Sequence, residues 1–403
     1  MMSRIIFLFF LTLFVPFTSF AAFESNGFEL VVTTPVETKL ENPDLRNPAD
    51  VWVEMIDGAK KSLVFGEMYA FSKAGEPLEK VLEAIERAGE RGVKTRFMLE
   101  EKMLRASSPE TIERLKKVKG LELRMFPFGK LSPDAITHAK YFVADGNVAY
   151  VGSQNFDWRS LKHIHETGLK FSDKKLVGPI AAIFERDWKA ADPKAKSKVF
   201  EGKIPASRKV GDKETAWLVA SPPGLLPNGV AQSEAELVRL INGAEKEIRV
   251  QLLDYYPTYR DKKTYYPAID TALRAAAVRG VKVKLMVSHW NQEAPAVLYL
   301  KSLVFIPNME VKIATIPLAK EGKIPFARVI HSKTMDIDDK IAWVGTSNWT
   351  GGYLDRLRNL EVVLKDEKMA KRIGELHEQL WSSEYAAKVD PAKDYPKPEK
   401  GGE

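Results

Sequence analysis

Two histidines, each followed at the second position by a lysine and at the seventh by an aspartate, offer the chain's most specific chemistry: His138, Lys140 and Asp145 in HAKYFVAD, and His331, Lys333 and Asp338 in HSKTMDID. Each block runs on through a β-prone stretch into a Gly-Ser/Thr-x-Asn turn, Gly152-Ser153-Gln154-Asn155 in one copy and Gly345-Thr346-Ser347-Asn348 in the other, at the same intervals. On an extended strand a histidine and a lysine two apart share a face, because side chains alternate with period two, so both can reach one anion. The turn adds the hydroxyl of Ser153 or Thr346 and the amide of Asn155 or Asn348, groups suited to gripping oxygen atoms. Two copies with identical intervals are far more specific than one short motif.

One copy amounts to a phosphate-sized pocket with a single imidazole, and two facing copies provide two. That pair suffices for displacement at a phosphodiester without metal or cofactor: one ring attacks phosphorus, and the other protonates the leaving oxygen and later activates the water or alcohol that resolves the phosphohistidine. Lysines and asparagines would hold the non-bridging oxygens. Histidine suits the task because its pKa lies near neutrality, so one ring can be neutral while the other is charged.

The elements that must carry these residues also come twice. VWVEMIDGAKKSLVFGEMYAF from Val51 to Phe71 has the rhythm of ELVRLINGAEKEIRVQLLDYY from Glu236 to Tyr256, each a helix ending near Gly58 or Gly243 and then an apolar strand. EPLEKVLEAIERAGERGVKTRFMLE from Glu76 and YPAIDTALRAAAVRGVKVKLMVSHW from Tyr266 each predict an amphipathic helix, an Arg-Gly-Val-Lys stop and another strand. A β-α-β rhythm predicts mixed or parallel sheets covered on both faces. The expected organisation is α/β: tandem pseudo-symmetric units at 22–190 and 216–389, a lysine- and turn-rich linker at 191–215, and a tail at 390–403 without order.

At 403 residues, with 45% hydrophobic and 29% charged, the chain is long enough for two domains and has the composition of an ordinary globular protein. Met1 to Ala21, with one early arginine and a greasy run ending in small residues, predicts a cleaved export leader and hence a periplasmic or secreted product. The absence of cysteine excludes disulfides and thiolate metal sites. The formal charge of +7 favours polyanions weakly.

The two blocks resemble the duplicated His-x-Lys-x4-Asp motifs of the phospholipase D superfamily. DWRSL from Asp157, ASPP from Ala220, YPAID, RGVKVKL, IPFARV and GTSNW are similar, more narrowly, to the animal phospholipase D-like exonucleases that act on single-stranded nucleic acid. The resemblance implies two α/β/α sandwiches with the site at their interface, a phosphohistidine intermediate and no metal. Carried over, it makes His138 and His331 the nucleophile and acid-base pair, with His138 the first choice for nucleophile. Lys140, Lys333, Asn155 and Asn348 hold phosphate, Asp145 and Asp338 tie the catalytic motifs together, and Glu166 and Glu361 orient the opposing histidines. The turn reads GSQN where GSAN is commoner, and the family's cysteines are missing.

DYYPTYRDKKTYYPAID, Asp254 to Asp270, interleaves tyrosines with Arg260, Lys262 and Lys263 in an expected loop, so Tyr255 and Tyr256 are candidates for stacking bases of a single strand. A phospholipid substrate uses the same chemistry, and LVFIPNM from Leu303 is the one modest membrane-seeking stretch. A non-catalytic scaffold is disfavoured by two intact motifs. No obligatory protein partner is evident, and an internal pseudo-dimer is expected to work as a monomer. His163 and His165 read as a surface loop, His289 as strand-end packing, and His377 lacks the second histidine of a zinc-protease helix.

Overall fold

The computed structural model describes residues 22–196, 204 and 206–401. The expected leader and the middle of the expected linker lie outside the described residues. In the first half, strands Ser62–Glu67, Lys94–Glu100 and Leu121–Phe126 run parallel, joined by helices Leu78–Glu90 and Pro109–Lys117. On the other side of Ser62–Glu67 an antiparallel hairpin, Tyr141–Ala144 and Val148–Gly152, leads to Glu166–Phe171 and Phe28–Thr33 within an eight-stranded mixed sheet. The second half repeats the plan. Glu247–Leu252, Lys282–Ser288 and Met309–Ala314 are parallel, and Thr334–Ile337, Ile341–Gly345 and Asn359–Lys365 continue antiparallel within nine strands.

Local sequence explains the elements. Leu78–Glu90 buries Leu78, Val81, Leu82, Ile85 and Ala88 at three- and four-residue spacing. Past that helix, Gly92 adopts φ +85°, and Gly280 does the same at φ +100° after Pro267–Val278, a left-handed turn that glycine takes without strain. Helices Lys174–Ala190 and Glu367–Trp381 lie in the space shared by the two sheets. Leu176, Ile180 and Phe184 of one belong to the same buried core as Met369 and Ile373 of the other, together with Leu218, Leu360 and Val362. One core therefore spans both halves.

A buried ion pair crosses the same boundary. Arg358 reaches from the second half to Asp187 at 2.8 and 2.9 Å through two guanidinium nitrogens, and both side chains are fully buried. The tail carries contacts as well: the Lys400 carbonyl accepts from the Phe326 N–H at 2.7 Å, and Lys323 pairs with Glu399 at 2.7 Å. No helix among the described residues is long and apolar enough to cross a membrane.

Candidate active site

Each His-x-Lys-x4-Asp motif begins in backbone pairing with the other half. The His138 N–H donates to Arg358 O at 2.9 Å and the Arg358 N–H to Ile136 O at 3.1 Å; likewise the His331 N–H donates to His165 O at 2.8 Å and the His165 N–H to Val329 O at 3.0 Å. These parallel bridges lay each histidine beside the residue that follows its neighbour across the boundary. Asn359 comes behind His138, and Glu166 behind His331.

The two side-chain contacts differ in charge. His331 Nδ1 lies 2.7 Å from Glu166 Oε2, whereas His138 Nδ1 lies 3.0 Å from Asn359 Oδ1. The Asn359 amide has one orientation available, because its Nδ2 donates to Tyr353 O at 2.8 Å while Thr346 Oγ1 donates to its Oδ1 at 2.8 Å. Oδ1 therefore faces His138, Nδ1 must carry the proton, and Nε2 keeps a bare lone pair. On the other side, Ser153 Oγ donates to Glu166 Oε2 at 2.5 Å.

Lys140 and Lys333 are buried, each donating through Nζ to the carbonyl of its own histidine, Lys333 at 2.6 Å. Burial pushes Lys333 down to about 7, against the pull of Glu166 and Asp254. Lys140 is also held well below its ordinary value, by burial and then by Lys333. Burial first, then the two lysines, holds both imidazoles well below their usual value, while burial pushes Glu166 up to about 7. A bound phosphate placed between the lysines would restore their charge and, by adding an anion, favour an imidazolium.

The turn asparagines would meet phosphate through their amide N–H groups: Asn348 Nδ2 makes a long contact of 3.4 Å to Asp254 and lies within reach of the Tyr353 hydroxyl, while Oδ1 of Asn155 and of Asn348 is buried without a hydrogen-bond partner. The turn hydroxyls are not available for gripping. Ser153 and Thr346 each donate to the group behind a histidine and each accept a backbone N–H, from Thr167 at 3.0 Å and Leu360 at 3.1 Å. Asp145 and Asp338 stand away from the pocket. Each carboxylate accepts three successive backbone N–H groups at the helix-to-strand turn of its own half, Lys60 to Ser62 at 2.7 to 2.8 Å and Glu245 to Glu247 at 2.7 to 2.9 Å. They pin the motif strand to the sheet.

Other expectations are corrected. Glu361 does not orient His138: counted by the offset that carries His138 to His331, Glu166 falls on Asn359, and Glu361 is held by Ser347 and, at 2.6 Å, by Ser233. Tyr255 is a core residue, 1% exposed, whose hydroxyl donates to Asp270 at 2.6 Å, so no base can reach it. Tyr256 is half-buried near Asp254 and Tyr353. His163 and His165 are buried rather than on a surface loop, His165 Nδ1 lying 2.8 Å from Ser332 Oγ. His377 is buried and stacks on Trp381 at 5.3 Å.

Tyr353 was invisible to sequence reasoning. Its ring stands edge-on to His138 at 5.0 Å, its carbonyl orients Asn359, and its hydroxyl lies in hydrogen-bonding reach of Asn348 and Arg260. A single tyrosine in a Gly-Gly loop has no spacing to mark it. Among the described residues, no group of three or more His, Asp or Glu side chains could hold a metal ion.

Comparison with known proteins gives the same family twice along the chain. The model described as "Cardiolipin synthase, PLD-like domain" matches residues 52–188 and 237–381. A Caenorhabditis elegans protein named "Probable phospholipase D F09G2.8" is 30% identical over 374 residues, covering 84% of this chain and 66% of that protein, just under two thirds of its length. The mouse "5'-3' exonuclease PLD4" is 28% identical over 413 residues, covering 91% of this chain and 81% of the relative. Among solved structures, phosphatidylserine synthase of Haemophilus influenzae superposes with a TM-score of 0.60 at 10% identity over 85% of each chain, which speaks to the fold alone.

Proposed function

Because this chain belongs to the phospholipase D-like family and is a phosphodiesterase of that superfamily, we propose that it hydrolyses single-stranded nucleic acid through a phosphohistidine on His138. His138 Nε2 is the bare lone pair, fixed by the Asn359 amide, and it attacks phosphorus in line with the departing oxygen. The Glu166–His331 pair holds the proton that the leaving oxygen takes from His331 Nε2, and the same nitrogen then accepts a proton from the attacking water. Lys140, Lys333, Asn155 and Asn348 stabilise charge on the non-bridging oxygens as it develops.

The observation that carries the nucleic-acid reading is the rim of the pocket. Tyr353 at His138, half-buried Tyr256 and exposed Arg260 put aromatic faces beside a cation next to the phosphate groups, the combination that binds single strands without sequence preference. The formal charge of +7 and the relative named an exonuclease agree with it. The leader at Met1–Ala21 supports action outside the cytoplasm, in the periplasm or as a secreted enzyme, which amino-terminal sequencing of the exported product would test.

The deciding experiment offers the purified protein a labelled single-stranded oligonucleotide and phosphatidylcholine vesicles in parallel, with and without EDTA. Cleavage of the oligonucleotide, unchanged by EDTA, with a His138 peptide carrying the retained nucleotide through its phosphate recovered on acid-free quenching, is the expected result. Turnover of lipid alone would replace the substrate assignment with a phospholipase.

A further inference from the structure

Beside the phosphate pocket lies a second feature that the mechanism does not use. Ile164, Leu253 and Val329, which precede Glu166, Asp254 and His331 by one or two positions, pack with Ala327 into a small buried cluster, and Trp290 rests on it partly covered. Trp290 meets Phe326 edge to face at 6.4 Å and His289 at 6.4 Å. Phe326 is 54% exposed and adopts a left-handed backbone, φ 60°, which bulky residues rarely accept.

The C-terminal segment secures this corner. Lys400 receives the Phe326 N–H at its carbonyl, at 2.7 Å, lays its ammonium over the Trp290 ring at 5.7 Å, and pairs with Glu293 at 3.5 Å; Lys397 reaches the same carboxylate at 3.8 Å. Lys400 also acts electrostatically on Asp254 and on His289, and Asp254 lies 3.4 Å from the Asn348 amide. Because its floor is built from Ile164, Leu253 and Val329, one or two positions before Glu166, Asp254 and His331, the aromatic corner adjoins the same cleft. Phe326 is the open ring of the pair, while Trp290 is backed by the apolar cluster and overlaid by Lys400.

Resting on the nucleic-acid reading above, we propose that Trp290 and Phe326 form the stacking platform for the base adjoining the scissile phosphate. Lys400 is a positioning residue that holds the platform in place. Flat aromatic faces suit any base, and Glu293, at 3.5 Å, pairs the Lys400 charge, so recognition here rests on stacking rather than on a second phosphate contact.

The test compares an oligonucleotide with the same oligonucleotide abasic at the nucleotide next to the cleaved bond. The native protein should favour the base-bearing substrate in kcat/KM by about tenfold, the size of one stacked base. Trp290→Leu should erase that preference, read as the ratio of kcat/KM on the two substrates and carried by KM for the base-bearing one; Lys400→Ala should reduce it. Phe326→Ser, at an exposed side chain, serves if the Trp290 variant folds poorly. Variants that keep the full preference, or that lower both substrates equally, would overturn the platform. If the native protein cleaves vesicle lipid and neither oligonucleotide, the nucleic-acid reading itself has failed and the platform falls with it.

Discussion

Replacing Glu166 with glutamine removes a negative charge and almost no volume, at a carboxylate 2.7 Å from His331 Nδ1 and buried from solvent. Two charges about 4 Å apart at an effective dielectric constant of about 20 interact by about 4 kcal/mol. Opposite charges at such range move a pKa by about 1–3 units. The imidazolium of His331 loses that support, so its pKa falls. His331 acts as acid only while protonated, and its rate is lost as pH rises through that pKa; in the Glu166→Gln variant the alkaline limb of kcat therefore shifts to lower pH. At neutral pH kcat for an oligonucleotide should drop about 10²- to 10⁴-fold, the worth of a positioned general acid. A p-nitrophenyl ester of a nucleoside 3′-phosphate releases a stable phenolate without protonation, and on it the burst of p-nitrophenol should be far less affected. Asn359→Asp provides the converse. A carboxylate behind His138 raises the pKa of the nucleophile, which must be neutral to attack, so the acid limb moves to higher pH. The assignment of roles is refuted if Glu166→Gln slows p-nitrophenol release as much as oligonucleotide cleavage, because His331 would then be attacking phosphorus.

Arg358→Met leaves Asp187 buried without its partner, and should cost about 3–5 kcal/mol in denaturant melts, whereas Arg358→Met with Asp187→Leu should recover most of it. Asp338→Ala strips three backbone N–H groups of an acceptor; it should lower the melting temperature, by about 1–3 kcal/mol of stability, and leave KM within a few-fold of native, since the carboxylate is outside the pocket. Tyr255→Phe should leave oligonucleotide KM unchanged while destabilising by about 1 kcal/mol, and a raised KM would return Tyr255 to the binding surface. Tyr353→Phe keeps the ring on His138 and the backbone carbonyl on Asn359, so it should raise KM for oligonucleotides with little change in the pH profile.

The fold was legible because its signals are periodic. Apolar spacing in Leu78–Glu90, the glycines after each crossover helix and the doubled order of elements leave few alternatives to paired mixed sheets. The motif residues were legible because each occurs twice at one interval. Errors arose where the halves diverge. Matching Glu166 to Glu361 followed residue type, yet the second half carries its acid two positions later, where it fills the space beside Gly345; in the first half Gln154 lies against Gly152 and Gly168 instead. A large side chain has moved from turn to strand, and chemistry at one position has been exchanged for packing at another. Tyr255 failed for a related reason: a strand-end pair of tyrosines alternates inward and outward, and sequence alone does not say which faces the core. Tyr353 reaches His138, and Trp290 reaches Phe326, only through tertiary structure.

The crossing backbone bridges that put Asn359 behind one histidine and Glu166 behind the other have a consequence for how such a site can diverge. Were the two halves identical chains related by a true twofold axis, whatever stood behind one imidazole would stand behind both, and the choice of attacker would be settled only when substrate arrived. Joined in one polypeptide, the copies are released from that identity. Under the proposed roles, a change at a residue outside either motif then assigns the labour in advance, with each half holding the instruction for its partner's histidine.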